Sequence, residues 1–207
     1  ILLSVACIVL FLGGQAQENQ LSSFFPEIDV LKSNGPSEGY FFFGSKGLTA
    51  QNASHYIAII DNYGTPVFFR KMSSLTPSMR LLKDGRIAYI HGRPRKLYFL
   101  DSMLHVCDTL NVEGFRPDGH DWAVSAEGHF LLMGKHKWTY DMSQLVEGGN
   151  PEAEIVDLII QEFDEEFNLL YTWNSADHFE ITDGNENSDY LDFTEEQIDY
   201  VHANAVT

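Results

Sequence analysis

Two histidines stand at the same place in a repeated stretch. When Gly119-His120-Asp121-Trp122-Ala123-Val124-Ser125 is laid over the residues from Val201 to Thr207, His120 falls on His202, Ala123 on Ala205, Val124 on Val206 and Ser125 on Thr207. An imidazole can serve as hydrogen-bond donor, acid or nucleophile near neutral pH. Asn204 follows His202 by two residues, so on an extended strand both side chains point to one side, and the amide adds a neutral donor. A histidine recurring before a short β-branched run points to a shared central site. The competing reading of His120 and His202 is structural, each tying a loop between neighbouring sheets.

The elements that must position these residues are strands. No stretch keeps a helical period; short apolar or alternating runs rich in Ile, Val, Phe and Tyr are separated by Asp, Asn and Gly, the pattern of an antiparallel β protein. Three runs have a common plan: a hairpin over 56–69 turning at Asn62 to Thr65, a second over 97–106 and a third over 158–171, each with an acidic residue where the first strand enters its turn. A second recurring element, over 79–90 and 120–133, turns at Gly85 and at Glu127-Gly128. Two hairpins per unit make a four-stranded sheet. Gly85 to Gly128 spans 43 residues and Asp61 to Asp101 spans 40, a period that fits propeller blades. The third unit is stretched by insertions at 139–157 and 177–200, which predict functional loops or mobile surface. About two and a half blades are expected, fewer than the four or more that close a ring, so the chain is expected to be part of something longer.

The first twelve residues are almost wholly apolar and lead to Gly14-Gln15-Ala16, the hydrophobic part and cleavage site of a secretory signal without its basic start. The expected organisation is a signal peptide over 1–16, an N-terminal segment over 17–55 and an incomplete propeller over 56–207. A membrane span, which needs about 20 apolar residues, is the alternative reading of the start, and a lipid-attachment role for Cys7 a further one. Cleavage would leave Cys107 as the only cysteine, read as a small buried hydrophobe with no intrachain disulfide. The expected location is secreted or periplasmic, with no membrane span after cleavage.

The chain of 207 residues carries a net charge of −17. All 13 Lys and Arg lie at or before Lys137, and 18 of the 30 acidic residues lie after it. Nucleic acid is therefore excluded as an expected partner, and the acidic half reads as a solvated surface.

The order of motifs resembles the arylsulfotransferase family, over roughly residues 39–207. The resemblance rests on Gly39-Tyr40-Phe41-Phe42-Phe43, Ile60-Asp61-Asn62-Tyr63-Gly64-Thr65-Pro66-Val67, Gly119-His120-Asp121, Ile159-Ile160-Gln161-Glu162-Phe163-Asp164, Trp173-Asn174-Ser175-Ala176-Asp177-His178 and Asp199-Tyr200-Val201-His202-Ala203-Asn204. It implies a six-bladed propeller with a site at its central channel. The implied activity moves a sulfuryl group from a phenolic sulfate ester to a phenol, without a nucleotide donor or other cofactor. His202 and His120 then become catalytic candidates, and Asn204, His120 and His202 line the place where the sulfuryl oxygens sit. The histidine that carries the sulfuryl group and an arginine are implied beyond Thr207, so the 207-residue chain alone is expected to be inactive. The rival class is a non-catalytic secreted propeller that binds small ligands or proteins.

His178 is read as anchoring a loop beside Trp173, and His55, His91, His105, His129 and His136 as surface or strand residues. Arg93, Arg95 and Lys96 could attract an anionic ester or form a solvated turn. Asp183, Asn185, Asn187 and Asp189 alternate like the first ligands of a calcium loop, but Ser188 replaces the expected glycine and Thr194 the closing carboxylate. An acidic loop is the preferred reading of that stretch. Asn52-Ala53-Ser54 fits a glycosylation acceptor. Ser-His-Asp, zinc and dinucleotide motifs are missing from the sequence.

Overall fold

The computed structural model describes residues 25, 28–45, 55–76, 78–183 and 191–207. The protein is all-β, built from several antiparallel sheets that follow one another along the chain, none of them closed. The first sheet has the order β1 (Tyr40–Gly44), β2 (His55–Asp61), β3 (Pro66–Met72). The second is β4 (Met79–Leu81), β5 (Ile87–Ile90), β6 (Leu97–Leu100), β7 (Val106–Leu110). The third is β8 (Arg116–Val124), β9 (Phe130–Tyr140), β10 (Ala153–Phe163), β11 (Leu169–Asn174), with the short β12 (Gln197–Ile198) pairing parallel to β10. The first sheet thus begins at Tyr40, inside the stretch read from sequence as a lead-in segment. Among the described residues no helix is long and apolar enough to cross a membrane.

Alternation along β5 explains how the sheets pack. Ile87 and Tyr89 face the first sheet, where, together with Met79 and Leu100 of their own sheet, they meet Ile57 and Ile59. Ala88 and Ile90 face the other way and join Leu97, Phe99, Trp122, Phe130, Leu132 and Phe163 against the third sheet. All four residues of β5 are buried, so an uninterrupted apolar run marks a strand covered on both faces. Phe99, Phe130 and Phe167 complete this interior with ring centroids 5.0 to 5.6 Å apart.

The three acidic hairpins share one turn geometry. Asp61 Oδ1 accepts the backbone N–H groups of Tyr63 and Thr65, Asp101 Oδ1 those of Met103 and His105, and Asp164 Oδ1 those of Glu166 and Asn168. The fourth residue of each turn is left-handed: Gly64 at φ 81°, Leu104 at 61° and Phe167 at 67°. Glycine takes this conformation freely, whereas a side chain costs about 1–2 kcal/mol there. Leu104 and Phe167 offset the cost by packing into the two interiors between sheets.

The insertions differ from the loops that sequence predicts. The two ends of the first one lengthen a hairpin, since β9 and β10 pair in unbroken register from Phe130↔Phe163 to Tyr140↔Ala153, and the 3₁₀ turn Met142–Gln144 lies in the connection between them. The second folds back over that extension, and the two share an interior of Met142, Ala153, Ile155, Ile198 and Tyr200, with Trp138, Ile181, Leu191 and Phe193 packed around it. Apolar residues scattered through both insertions bury one another, a long-range pairing without a local period to announce it. Cys107 also departs from expectation: it is exposed, because β7 is the outer edge strand of its sheet.

Candidate functional site

A bulge sets the direction of His120. On β8 the pairing runs Pro117↔Gly134 and resumes at Trp122↔Leu132, so β8 advances five residues while β9 advances two. The surplus residues leave the ladder, as in a bulge that re-aims a side chain. Asp118, with its side chain 2% exposed, turns inward there. Its Oδ1 accepts the backbone N–H of His120 at 2.8 Å and faces His120 Nδ1 at 2.5 Å. His120 is thus within β8 at an irregularity, where sequence places it at the entrance to a strand.

His202 reaches the same place from the far end of the second insertion. Tyr200 is buried, and its hydroxyl donates to Asp157 Oδ1 at 3.1 Å. Asp199 Oδ2 then lies 3.0 Å from His202 Nδ1. The two imidazoles meet edge to face, with centroids 5.7 Å apart and planes at 74°. Beyond His202, Val206 N–H donates to Asp121 Oδ2 at 3.4 Å, and Asp121 Oδ1 is held by Arg80 Nη2 at 2.7 Å. Residues 202–207 form no ladder among the described residues, and the segment after His202 is tethered to β8 through the Val206–Asp121 hydrogen bond. Asn204 lies exposed on that segment, and its amide meets no hydrogen-bond partner among the described residues.

Lys135 joins the two halves. It sits on β9 opposite Arg116, and its Nζ lies 2.9 Å from Asp199 Oδ2 and 3.4 Å from Asp118 Oδ2. The series His120, Asp118, Lys135, Asp199, His202 is therefore continuous. Burial pushes the Asp118 carboxyl up, but the His120 backbone hydrogen bond, the His120 ring and the Lys135 charge outweigh it and hold the carboxyl below the usual aspartate value. An ionised carboxylate only accepts hydrogen bonds, so each imidazole presents Nδ1–H to its aspartate, and in the neutral ring Nε2 carries the lone pair. Such a pair can take or return a proton. Once protonated, each Nε2–H can also donate to an oxyanion.

Asp118, Lys135 and Asp199 are the site residues that sequence reasoning missed. A signal existed, an aspartate two residues before His120 and three before His202. The overlay that aligned the histidines placed these aspartates out of step. Of the three cations weighed in the turn before β6, Arg95 reaches β8, donating from Nη1 to Pro117 O at 3.2 Å. His136 is more than a strand residue: its Nδ1 lies 2.9 Å from the buried Asp157, which also accepts Trp138 Nε1–H at 2.9 Å. His178 stacks on Trp173 with centroids 5.0 Å apart and planes at 7°, the loop anchor expected of it.

Asp183, in the 3₁₀ turn Ile181–Asp183, accepts Glu180 N–H at 2.8 Å. Asn185, Asn187 and Asp189 lie outside the described residues, as do residues 1–16, read from sequence as a signal peptide, and Asn52. Among the described residues no group of three or more His, Cys, Asp or Glu is placed to hold a metal ion.

No family model and no curated protein matches this chain. Among solved structures it is similar to a protein of unknown function from Bacteroides caccae, with a TM-score of 0.42, 14% identity, and coverage of 67% of this chain and 51% of that one. The chain thus spans about half the length of that protein.

Proposed function

We propose that this chain is part of a six-bladed, arylsulfotransferase-like β-propeller, in which His120 and His202 serve a nucleotide-independent transfer of a sulfuryl group from a phenolic sulfate ester to a phenol. The observation that carries the proposal is the pair itself: two imidazoles 5.7 Å apart, each with Nδ1 facing a carboxylate. Three antiparallel sheets that succeed one another in chain order, with buried apolar side chains between consecutive sheets, support the propeller part of the reading. The donor's S–O bond breaks and the sulfuryl group passes to a histidine supplied by a later blade, then to the acceptor's oxygen. The departing phenolate takes up one proton and the acceptor phenol releases one. Charge gathers on the sulfuryl oxygens and the departing oxygen, so preorganised donors and a proton carrier are what the site must supply. His120 and His202 fill both needs, and Asn204 adds an amide donor. The protein acts outside the cytoplasm, with aryl sulfates and phenols as its small-molecule partners.

The test uses the full-length protein with a fluorogenic aryl sulfate and excess phenol. Aryl release that depends on the phenol, with formation of the phenol's sulfate ester, is expected, and His120→Ala or His202→Ala should slow it at least ~10²-fold. Binding of aryl sulfate without turnover would replace this reading by the ligand-binding propeller. Turnover unaffected by either substitution would move the site elsewhere.

A further inference from the structure

We infer that Lys135 is a positioning residue, holding Asp118 and Asp199 against His120 and His202 so that both half-exposed imidazoles keep Nδ1 toward a carboxylate and leave Nε2 for a ligand. The inference rests on the reading above for its meaning in catalysis, while its structural content stands on the site alone.

A single cation stands between the two carboxylates. Asp118 comes from β8 and Asp199 from the segment after β12, 81 positions apart in the chain, and Lys135 Nζ lies within 3.4 Å of an oxygen of each. Each aspartate also accepts from the ring Nδ1 of a different histidine. Without the ammonium, two carboxylates of one sign would face each other across a partly dry space. Asp118 has no solvent to relax into, and Asp121 brings a third negative charge to the same strand. Of the other nearby cations, Arg80 is held by Asp121 and lies over the Trp122 ring at 5.0 Å, and Arg95 is turned to Pro117 O.

Stability alone does not account for the group. Lys135 and Asp199 are each 19% exposed and Asp118 is 2% exposed. Drawing ions this far from water is costly, and apolar residues of similar volume usually serve a fold as well or better. The charges are placed where two half-exposed imidazoles need fixed tautomers, which is the part that hydrogen-bonded carboxylates play behind functional histidines.

The test is nuclear magnetic resonance of the full-length protein labelled with ¹⁵N at its histidine rings. The wild type should show His120 and His202 as Nδ1–H tautomers with protected Nδ1 protons. Lys135→Met should convert at least one of them to a tautomer mixture with rapid proton exchange, and Lys135→Arg should restore the wild-type pattern. With aryl sulfate and phenol, Lys135→Met should lower kcat about tenfold or more and leave KM within a factor of about three, the scale for losing support behind a functional ligand. Either histidine as a stable Nε2–H tautomer in the wild type overturns the inference without any variant. Unchanged ring signals in folded Lys135→Met also overturn it. The expected ring signals in a protein that never turns over aryl sulfates would uphold Lys135 as positioning residue and refute the sulfuryl-transfer reading, so the two failures are distinguishable.

Discussion

Tyr200 donates its hydroxyl to Asp157 Oδ1 at 3.1 Å, which fastens the segment carrying Asp199 and His202 to the long β9–β10 hairpin carrying Lys135. Asp157, itself in the first insertion, is 1% exposed and also accepts Trp138 Nε1–H, so it takes donors from β9 and from the second insertion. Burial, reinforced by the Asp157 charge and opposed by the Ser175 hydrogen bond, holds the Tyr200 phenol above its usual value, and it stays a donor across the physiological range. The insertions thus form the support on which the second histidine rests.

Tyr200→Phe removes one donor and leaves Asp157 with Trp138 and His136, so the expected loss is about 1 kcal/mol. Asp157→Ala takes the acceptor from the Trp138 N–H and the His136 ring and leaves the Tyr200 hydroxyl with Ser175 Oγ at 3.4 Å alone, and the expected loss is about 2–3 kcal/mol. Urea unfolding measures both. Equal losses for the two variants would show that Asp157 is not the hub.

Asp118 gives the fold a defined acid limit. Its folded-state value is depressed, by His120 and Lys135 against the effect of burial. A depressed carboxyl stabilises the fold above the ordinary aspartate value of about 3.9, and that contribution is lost as pH falls through the lower folded value. Wild type should therefore exceed Asp118→Asn by about 1–3 kcal/mol at pH 7, with the gap closing below about pH 4. A gap that stays constant down to pH 3, or widens, contradicts the assignment.

The residues explain why some of this was legible in sequence and some was not. The hairpin turns were readable because Asp61, Asp101 and Asp164 act on backbone groups two and four residues on, a purely local chemistry. β5 was readable because Ile87 to Ile90 is apolar throughout. The Asp118–Lys135–Asp199 series was not, because its members come from three elements and only the tertiary fold sets their distances. The bulge at Asp118 escaped for a related reason: it is defined by a mismatch with β9, and the overlay of the two histidine stretches compares β8 only with the chain after Val201. Cys107 was misplaced because a single residue type does not reveal whether a strand is central or at an edge.

The shared turn offers a comparison in which two opposing terms can be separated. Phe167→Gly relieves about 1–2 kcal/mol of left-handed strain but gives up an aromatic ring packed on Phe99 at 5.0 Å and Phe130 at 5.6 Å. Loss of such a ring costs about 3–5 kcal/mol when fully buried, so packing should win and the variant should be less stable. Leu104→Gly relieves the same strain for a smaller contact, and its stability should change by less than about 1 kcal/mol. Denaturant midpoints for the two variants decide between them; a stabilised Phe167→Gly would mean that strain dominates.

Asn204 allows function to be separated from stability. It is exposed and meets no hydrogen-bond partner among the described residues, so Asn204→Ala should leave the unfolding midpoint within about 0.5 kcal/mol of wild type. If its amide donates to a sulfuryl oxygen as charge develops, the same substitution should slow phenol-dependent aryl release by ~10²-fold. Cys107→Ser is the matched control, since Cys107 is also exposed but lies on the outer edge strand of the second sheet, and neither stability nor rate should move appreciably. A rate loss in Asn204→Ala without a stability loss identifies a side chain whose interaction partner is the substrate. A full-length enzyme with unimpaired Asn204→Ala would keep the histidine pair and remove Asn204 from the site.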